Sequence, residues 1–219
     1  MLSNYLLFLR SPVYLSKTYA VQWREMLTMF VLYIAISFPL GIVIGQIAEQ
    51  LDLDHRLTDI GTTEIWLAIL LVPAVEELLF RLWLKVDQRT LFSSAILILL
   101  TIALFVQLVS YWITVGLLVI GIVALVIAVL DATKRIEKIV ARYFNILFYS
   151  SVLLFGIVHI FNYLPLTWQT WLLAPILVSP QLILGSMLGF IRVRYGILYA
   201  ILFHMMVNAL LFAVFSLGR

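Results

Sequence analysis

Residues 196–217, GILYAILFHMMVNALLFAVFSL, form an apolar stretch with no Asp, Glu, Lys or Arg. A helix of about 20 apolar residues crosses the hydrocarbon layer of a bilayer, so this stretch predicts a transmembrane helix. The whole 219-residue chain is similar, with 64% hydrophobic residues, 11% charged residues and a mean hydropathy of +1.14. Soluble domains are about half apolar and a quarter charged. We therefore expect an integral membrane protein, and exclude soluble enzymes, disordered regulators and nucleic-acid modules.

Further apolar stretches of similar length predict an all-α protein with about seven transmembrane helices in one bundle. Residues 1–24 begin with an apolar stretch that is short and carries Arg10 and Pro12, so they are predicted to form an interfacial segment. Residues 25–219 are predicted to form one helical membrane domain. Its expected spans are 25–48, 64–84, 92–109, 111–130, 144–163, 171–190 and 196–217.

The basic residues predict the orientation of these spans. With a cytoplasmic N-terminus, eleven of the fourteen Lys and Arg residues lie inside, while the outer loop 49–63 is acidic. This asymmetry satisfies the positive-inside rule and places the C-terminus outside, in what we expect to be a bacterial inner membrane. The inner residues are Arg10, Lys17, Arg24, Lys85, Arg89, Lys134, Arg135, Lys138, Arg142, Arg192 and Arg194. Because they lie in short loops rather than on one face, we expect the lipid bilayer and no nucleic acid as a partner.

Polar residues inside the predicted spans are the candidates for function, because each ionisable one costs about 2.5–3.5 kcal/mol at the bilayer centre. Glu77 and Arg81 are four residues apart and can pair, whereas Glu76 is turned about 100° away. Glu76, deep in a helix beside a second acid, has the environment of a general base. The remaining candidates are His159, His204 and Asn208.

The two histidine segments complete the predicted site. His204 and Asn208 are spaced i, i+4 and can offer donors to one oxygen, as an oxyanion site requires. His159, on another helix, can share a water molecule with Glu76.

His55 lies in the acidic outer loop and is expected to be solvated surface. The pairs Gly41–Gly45 and Gly185–Gly189 are expected to allow close helix packing.

Three motifs occur in order: Glu76-Glu77-x-x-x-Arg81, Phe155-x-x-x-His159 and His204-x-x-x-Asn208. Together they resemble the CPBP family of CAAX-protease and bacteriocin-processing intramembrane proteins, also called the Abi family, over about residues 64–217. The resemblance implies a glutamate-dependent endopeptidase that acts on a peptide or a lipidated protein.

The resemblance also implies the residue roles. Glu76 would activate water that His159 holds, and His204 with Asn208 would stabilise the oxyanion. Glu77 and Arg81 would orient the first helix, and Phe155 would be a packing residue. The apolar run 92–130 departs from the family pattern as an inserted hairpin. Its even number of spans keeps the catalytic helices antiparallel, so it puts the substrate class in doubt more than the chemistry.

Three alternatives remain open. A zinc-dependent version of the same hydrolase would use Glu76, His159 and His204 as ligands, whereas the main hypothesis needs no cofactor. A non-catalytic membrane scaffold or immunity protein could keep the same fold. A transporter is less favoured, because paired inverted repeats are missing. The zinc, aspartyl and serine motifs of other intramembrane proteases are absent, and the chain has no cysteine.

Overall fold

The computed structural model describes residues 2–55, 65–85, 119, 121–122 and 133–217. Two antiparallel strands in this part of the chain, β1 (Asp54–His55) and β2 (Tyr163–Leu164), pair with each other. A π-helical segment, Leu67–Leu71, precedes the helix Val72–Arg81, and a 3₁₀ turn, Leu82–Leu84, follows that helix. A second 3₁₀ turn, His159–Asn162, follows the helix Phe144–Val158. The described α-helices are α1 Leu2–Arg10, α2 Trp23–Gln50, α3 Val72–Arg81, α4 Thr133–Arg142, α5 Phe144–Val158, α6 Trp168–Leu177, α7 Ser179–Tyr195 and α8 Ile197–Leu217.

The predicted helical membrane architecture is confirmed, but the predicted count of seven spans is not. Three stretches in the described ranges are long and apolar enough to cross a bilayer: Trp23–Gln50, Phe144–Asn162 and Ile197–Val214. The bent pair α6–α7 makes a fourth if it is one span. The predicted hairpin 92–130 lies outside the described residues, apart from three isolated positions.

The predicted span 171–190 is divided by a bend of 44° between α6 and α7. The chain leaves helical geometry at Val178, and Pro180 lies in the first turn of α7, where a missing N–H costs nothing. Helix α7 then continues to Tyr195, so Arg192 and Arg194 lie in a helix rather than in the predicted loop. Gly196, with φ of +112°, makes the sharp turn into α8.

Helix α7 lies at the centre of the packing, against α5, α8 and α2. A Cβ at Gly189 would lie 2.6 Å from Phe148, so this glycine permits the approach of α5. The close helix packing predicted for the pair Gly185–Gly189 is thereby confirmed. The pair Gly41–Gly45 has no described atom within 4 Å of its added Cβ positions, so the packing predicted there is not observed.

Two segments that precede the site in the chain, α1 and β1, also pack against later elements. From α1, Tyr5 and Phe8 are buried against Phe190 of α7, while the interfacial placement of residues 1–24 stays a prediction.

His55 pairs with Tyr163 in the two-stranded sheet, with ring centroids 4.9 Å apart. Burial lowers the pKa of His55 below its usual value. His55 is thus half-buried rather than fully solvated, which the sequence did not predict.

Candidate active site

A buried ion pair lies on the core side of α3. Arg81 Nη1 donates to Glu77 Oε1 at 2.8 Å, and neither side chain is exposed. The guanidinium carbon of Arg81 lies 3.8 Å from the ring centroid of Phe155, on α5. Gly185 of α7 makes room for this stack, because an added Cβ would lie 3.0 Å from Phe155 and 3.1 Å from Arg81 Nη2. The i, i+4 pairing predicted from sequence is confirmed, and Phe155 packs in the interior as expected.

His204, on α8, connects the two glutamates. Its Nδ1 lies 3.1 Å from Glu77 Oε1, and its Nε2 lies 3.7 Å from Glu76 Oε2. An ionised carboxylate only accepts hydrogen bonds, so the proton of this contact belongs to Nδ1. When His204 also carries a proton on Nε2, that N–H is directed to the side of Glu76.

His159 approaches Glu76 from a second helix. Its Nδ1 lies 2.7 Å from the carbonyl oxygen of Phe155, and its Nε2 lies 3.9 Å from Glu76 Oε1. A carbonyl only accepts, so Nδ1 carries the proton and Nε2 of the neutral ring is an acceptor. Each oxygen of Glu76 thus faces one imidazole, at a distance too long for a direct hydrogen bond.

Asn208 lies one turn after His204, but its amide already has a partner. Its Nδ2 donates to the carbonyl oxygen of Ala68 at 2.9 Å. Ala68 belongs to the π-helical segment, and such segments leave backbone groups to be satisfied from outside. Since a primary amide has two N–H donors, one remains for another acceptor.

A cavity of about 400 Å³ joins these groups. Glu76, His159, His204 and Asn208 line it, whereas Glu77 and Arg81 lie behind His204 in the interior. Three polar residues that the sequence reasoning did not select also line it: Tyr33, Asn162 and Gln181. Gln181 lies within the predicted span 171–190. A survey of all polar residues in spans, rather than of ionisable ones, would have found it.

Arg192 holds the end of the helix that carries the glutamates. Its Nε donates to the carbonyl oxygen of Arg81 at 3.1 Å, and its Nη2 donates to that of Leu82 at 2.9 Å. The last carbonyls of a helix have no partner within the helix, so this side chain caps α3. The interpretation of Arg192 and Arg194 as topology signals omitted these contacts; Arg194 pairs with Glu25 at 3.2 Å.

The metal question concerns the same three residues. Among the residues that the structure describes, no group of three His, Cys, Asp or Glu has the arrangement of a metal site. Both histidines nevertheless fix their Nδ1 by a hydrogen bond and direct Nε2 to Glu76, as histidines do in metal sites and in water-activating sites alike. The zinc alternative therefore remains for experiment.

Comparison with known proteins gives one match. Residues 132–210 match the family described as type II CAAX prenyl endopeptidase Rce1-like. No curated protein and no solved structure matches the chain. The matched segment contains His159, His204 and Asn208, whereas Glu76, Glu77 and Arg81 precede it. Over these residues, the resemblance predicted from the three motifs is confirmed: the chain carries an Rce1-like segment, consistent with the CPBP family of CAAX-type intramembrane proteases.

Proposed function

We propose that the protein is an intramembrane endopeptidase that hydrolyses a peptide bond with water activated by Glu76. The observation that carries this proposal is the cavity in which the two oxygens of Glu76 face Nε2 of His159 at 3.9 Å and of His204 at 3.7 Å. The Rce1-like segment supports the same reaction class. The substrate is a transmembrane or lipidated peptide that reaches the site from the cytoplasmic side.

The acceptors around Glu76 suit a nucleophilic water. One water hydrogen is donated to Glu76 and the other to Nε2 of His159, which directs a lone pair of the water oxygen into the cavity. As that oxygen bonds to the substrate carbonyl carbon, Glu76 takes the proton and the carbonyl oxygen becomes an oxyanion. The C–N bond then breaks when Glu76 returns its proton to the leaving amine.

The oxyanion is stabilised from α8. A protonated His204 donates from Nε2, while its Nδ1–H remains bonded to Glu77 at 3.1 Å. The second N–H of Asn208 is the other donor, since the first is bonded to Ala68. Glu77 orients the ring of His204 through this contact, and Arg81 balances the charge of Glu77. Glu77 and Arg81 are thus positioning residues.

The test compares membranes from cells that express the wild type, Glu76→Gln or the matched control Glu49→Gln. Glu49 is exposed near the end of α2 and does not line the cavity. New peptide termini are mapped by mass spectrometry at equal protein expression. We expect termini that depend on Glu76 and not on Glu49. If none appears, the non-catalytic scaffold or immunity protein becomes the better hypothesis.

The zinc-dependent alternative predicts a different response to chelation. The fixed Nδ1 atoms of His159 and His204 favour it as much as they favour a water site. Under this alternative, 1,10-phenanthroline abolishes cleavage and added zinc restores it. Under the proposed mechanism, activity survives the chelator.

A further inference from the structure

Gln181, in the first turn of α7, has a buried polar atom that the proposed chemistry does not use. Its Oε1 is inaccessible to solvent and has no hydrogen-bond partner in the described part of the chain. Leaving such an atom unpaired costs free energy, and native proteins rarely do so without a functional reason. The atom belongs to a residue that lines the same cavity as Glu76, His159 and His204.

The position of Gln181 is fixed by its surroundings. The bend at Val178 starts α7 there, and the neighbouring Leu182 packs so closely that a Cβ at Gly156 would lie 2.3 Å from it. Helix α7 is therefore held against α5, the helix that ends at His159. The backbone that carries Gln181 is therefore fixed beside the cavity, which reduces the entropy lost when this residue binds a ligand.

A peptide substrate supplies the donor that Gln181 lacks. An extended peptide in a membrane-embedded cavity carries backbone N–H groups that lose their water, and each needs an acceptor. We infer that the amide of Gln181 turns into the cavity when substrate binds, and that its Oε1 then accepts a hydrogen bond from a backbone N–H beside the scissile bond. This inference rests on the proposed function and deepens it, because it makes Gln181 a substrate-binding residue that reads the main chain rather than a particular side chain.

The test is a double-mutant cycle between Gln181 and the peptide backbone. The probe is a fluorescence-quenched farnesylated peptide that ends in Cys-aliphatic-aliphatic-X. Three analogues each replace one non-scissile amide with an ester, which removes one N–H. Wild type and Gln181→Met are compared, with Gln169→Met as the matched control because Gln169 is exposed and does not line the cavity.

We expect one ester to lower kcat/KM of the wild type and of Gln169→Met about five- to tenfold, the effect of one neutral hydrogen bond. In Gln181→Met, the same ester changes kcat/KM less than twofold. Equal ester effects in wild type and Gln181→Met at all three positions would overturn the inference.

Thermal stability gives an independent readout. Because Oε1 is unpaired without substrate, Gln181→Met is expected to raise the unfolding midpoint in detergent by about 2–4 °C. A lower midpoint would show that the amide has a structural role and would refute the inference. If wild type cleaves none of the peptides in a Glu76-dependent way, the proposed function itself fails and the inference falls with it. If cleavage depends on Glu76 but not on Gln181, only the inference fails.

Discussion

Removing either charge of the Glu77–Arg81 pair leaves the other charge buried without its counterion. Both side chains are fully buried, and Arg81 Nε and Nη2 have no hydrogen-bond partner within the described residues. Breaking a buried pair from one side costs about 3–5 kcal/mol. We therefore expect Arg81→Met and Glu77→Gln each to lower the free energy of unfolding by about 3–5 kcal/mol.

The double variant is expected to recover most of this loss. With both charges removed, the amide oxygen at position 77 still accepts from His204 Nδ1, and the methionine fills the space beside Phe155. We expect the double variant to lie within about 1 kcal/mol of wild type, since the desolvation cost of both ions disappears with their attraction. The expected non-additivity far exceeds the ~0.5 kcal/mol seen between distant sites.

The assay is SDS-driven unfolding in mixed micelles, followed by circular dichroism, with thermal midpoints in the same detergent as a second measurement. Glu49→Gln is the control for loss of an exposed carboxylate, and it is expected to stay within about 0.5 kcal/mol of wild type. If both single variants lose less than about 1 kcal/mol, the pair behaves like a surface salt bridge. That result would refute the reasoning that Glu77 is held in a dry interior.

Three further predictions concern Arg192, Gly185 and His55. Arg192→Met removes both hydrogen bonds that cap the end of α3, so we expect the unfolding free energy to fall by about 1.5–3 kcal/mol and kcat to change more than KM. Arg192→Lys should restore part of the stability and part of the activity, whereas full activity in Arg192→Met would contradict the capping role. Gly185→Ala crowds Phe155 and is expected to cost about 1–3 kcal/mol in the same unfolding assay, whereas the control Gly41→Ala, with open space around its Cβ, should not destabilise. Because the folded-state pKa of His55 is lowered, the unfolded chain binds more protons, and stability is lost as pH falls through about 6.5. The thermal midpoint of wild type should therefore fall relative to that of His55→Phe between pH 7.5 and pH 5.5. Parallel pH profiles of the two proteins would contradict this.

The sequence predicted the features that follow from local rules. Apolar length identified the helices at 25–48, 144–163 and 196–217, and helical spacing predicted the Glu77–Arg81 pair. It did not predict the bend at Val178, since a Pro-containing apolar run continues, kinks or breaks according to the helices around it.

The sequence did not predict the contacts that hold the site residues in position. Arg192 lies more than a hundred positions after Arg81, and no local pattern indicates that it caps the helix of Arg81. Likewise, the i, i+4 spacing of His204 and Asn208 placed them on one face, but the use of one Asn208 N–H by Ala68 depends on the π-helical turn. The partial burial of His55 was not predicted, because it comes from a strand pair with residues far along the chain.

The most direct test of the account is steady-state cleavage of the quenched farnesylated peptide by purified wild type, Glu76→Gln and Glu49→Gln in lipid bilayers. If Glu76 is the base, Glu76→Gln lowers kcat by about 10²–10⁴-fold, with KM almost unchanged and Glu49→Gln equal to wild type. A Glu76→Gln enzyme that keeps more than a tenth of the wild-type kcat would contradict the claim that this glutamate activates the water.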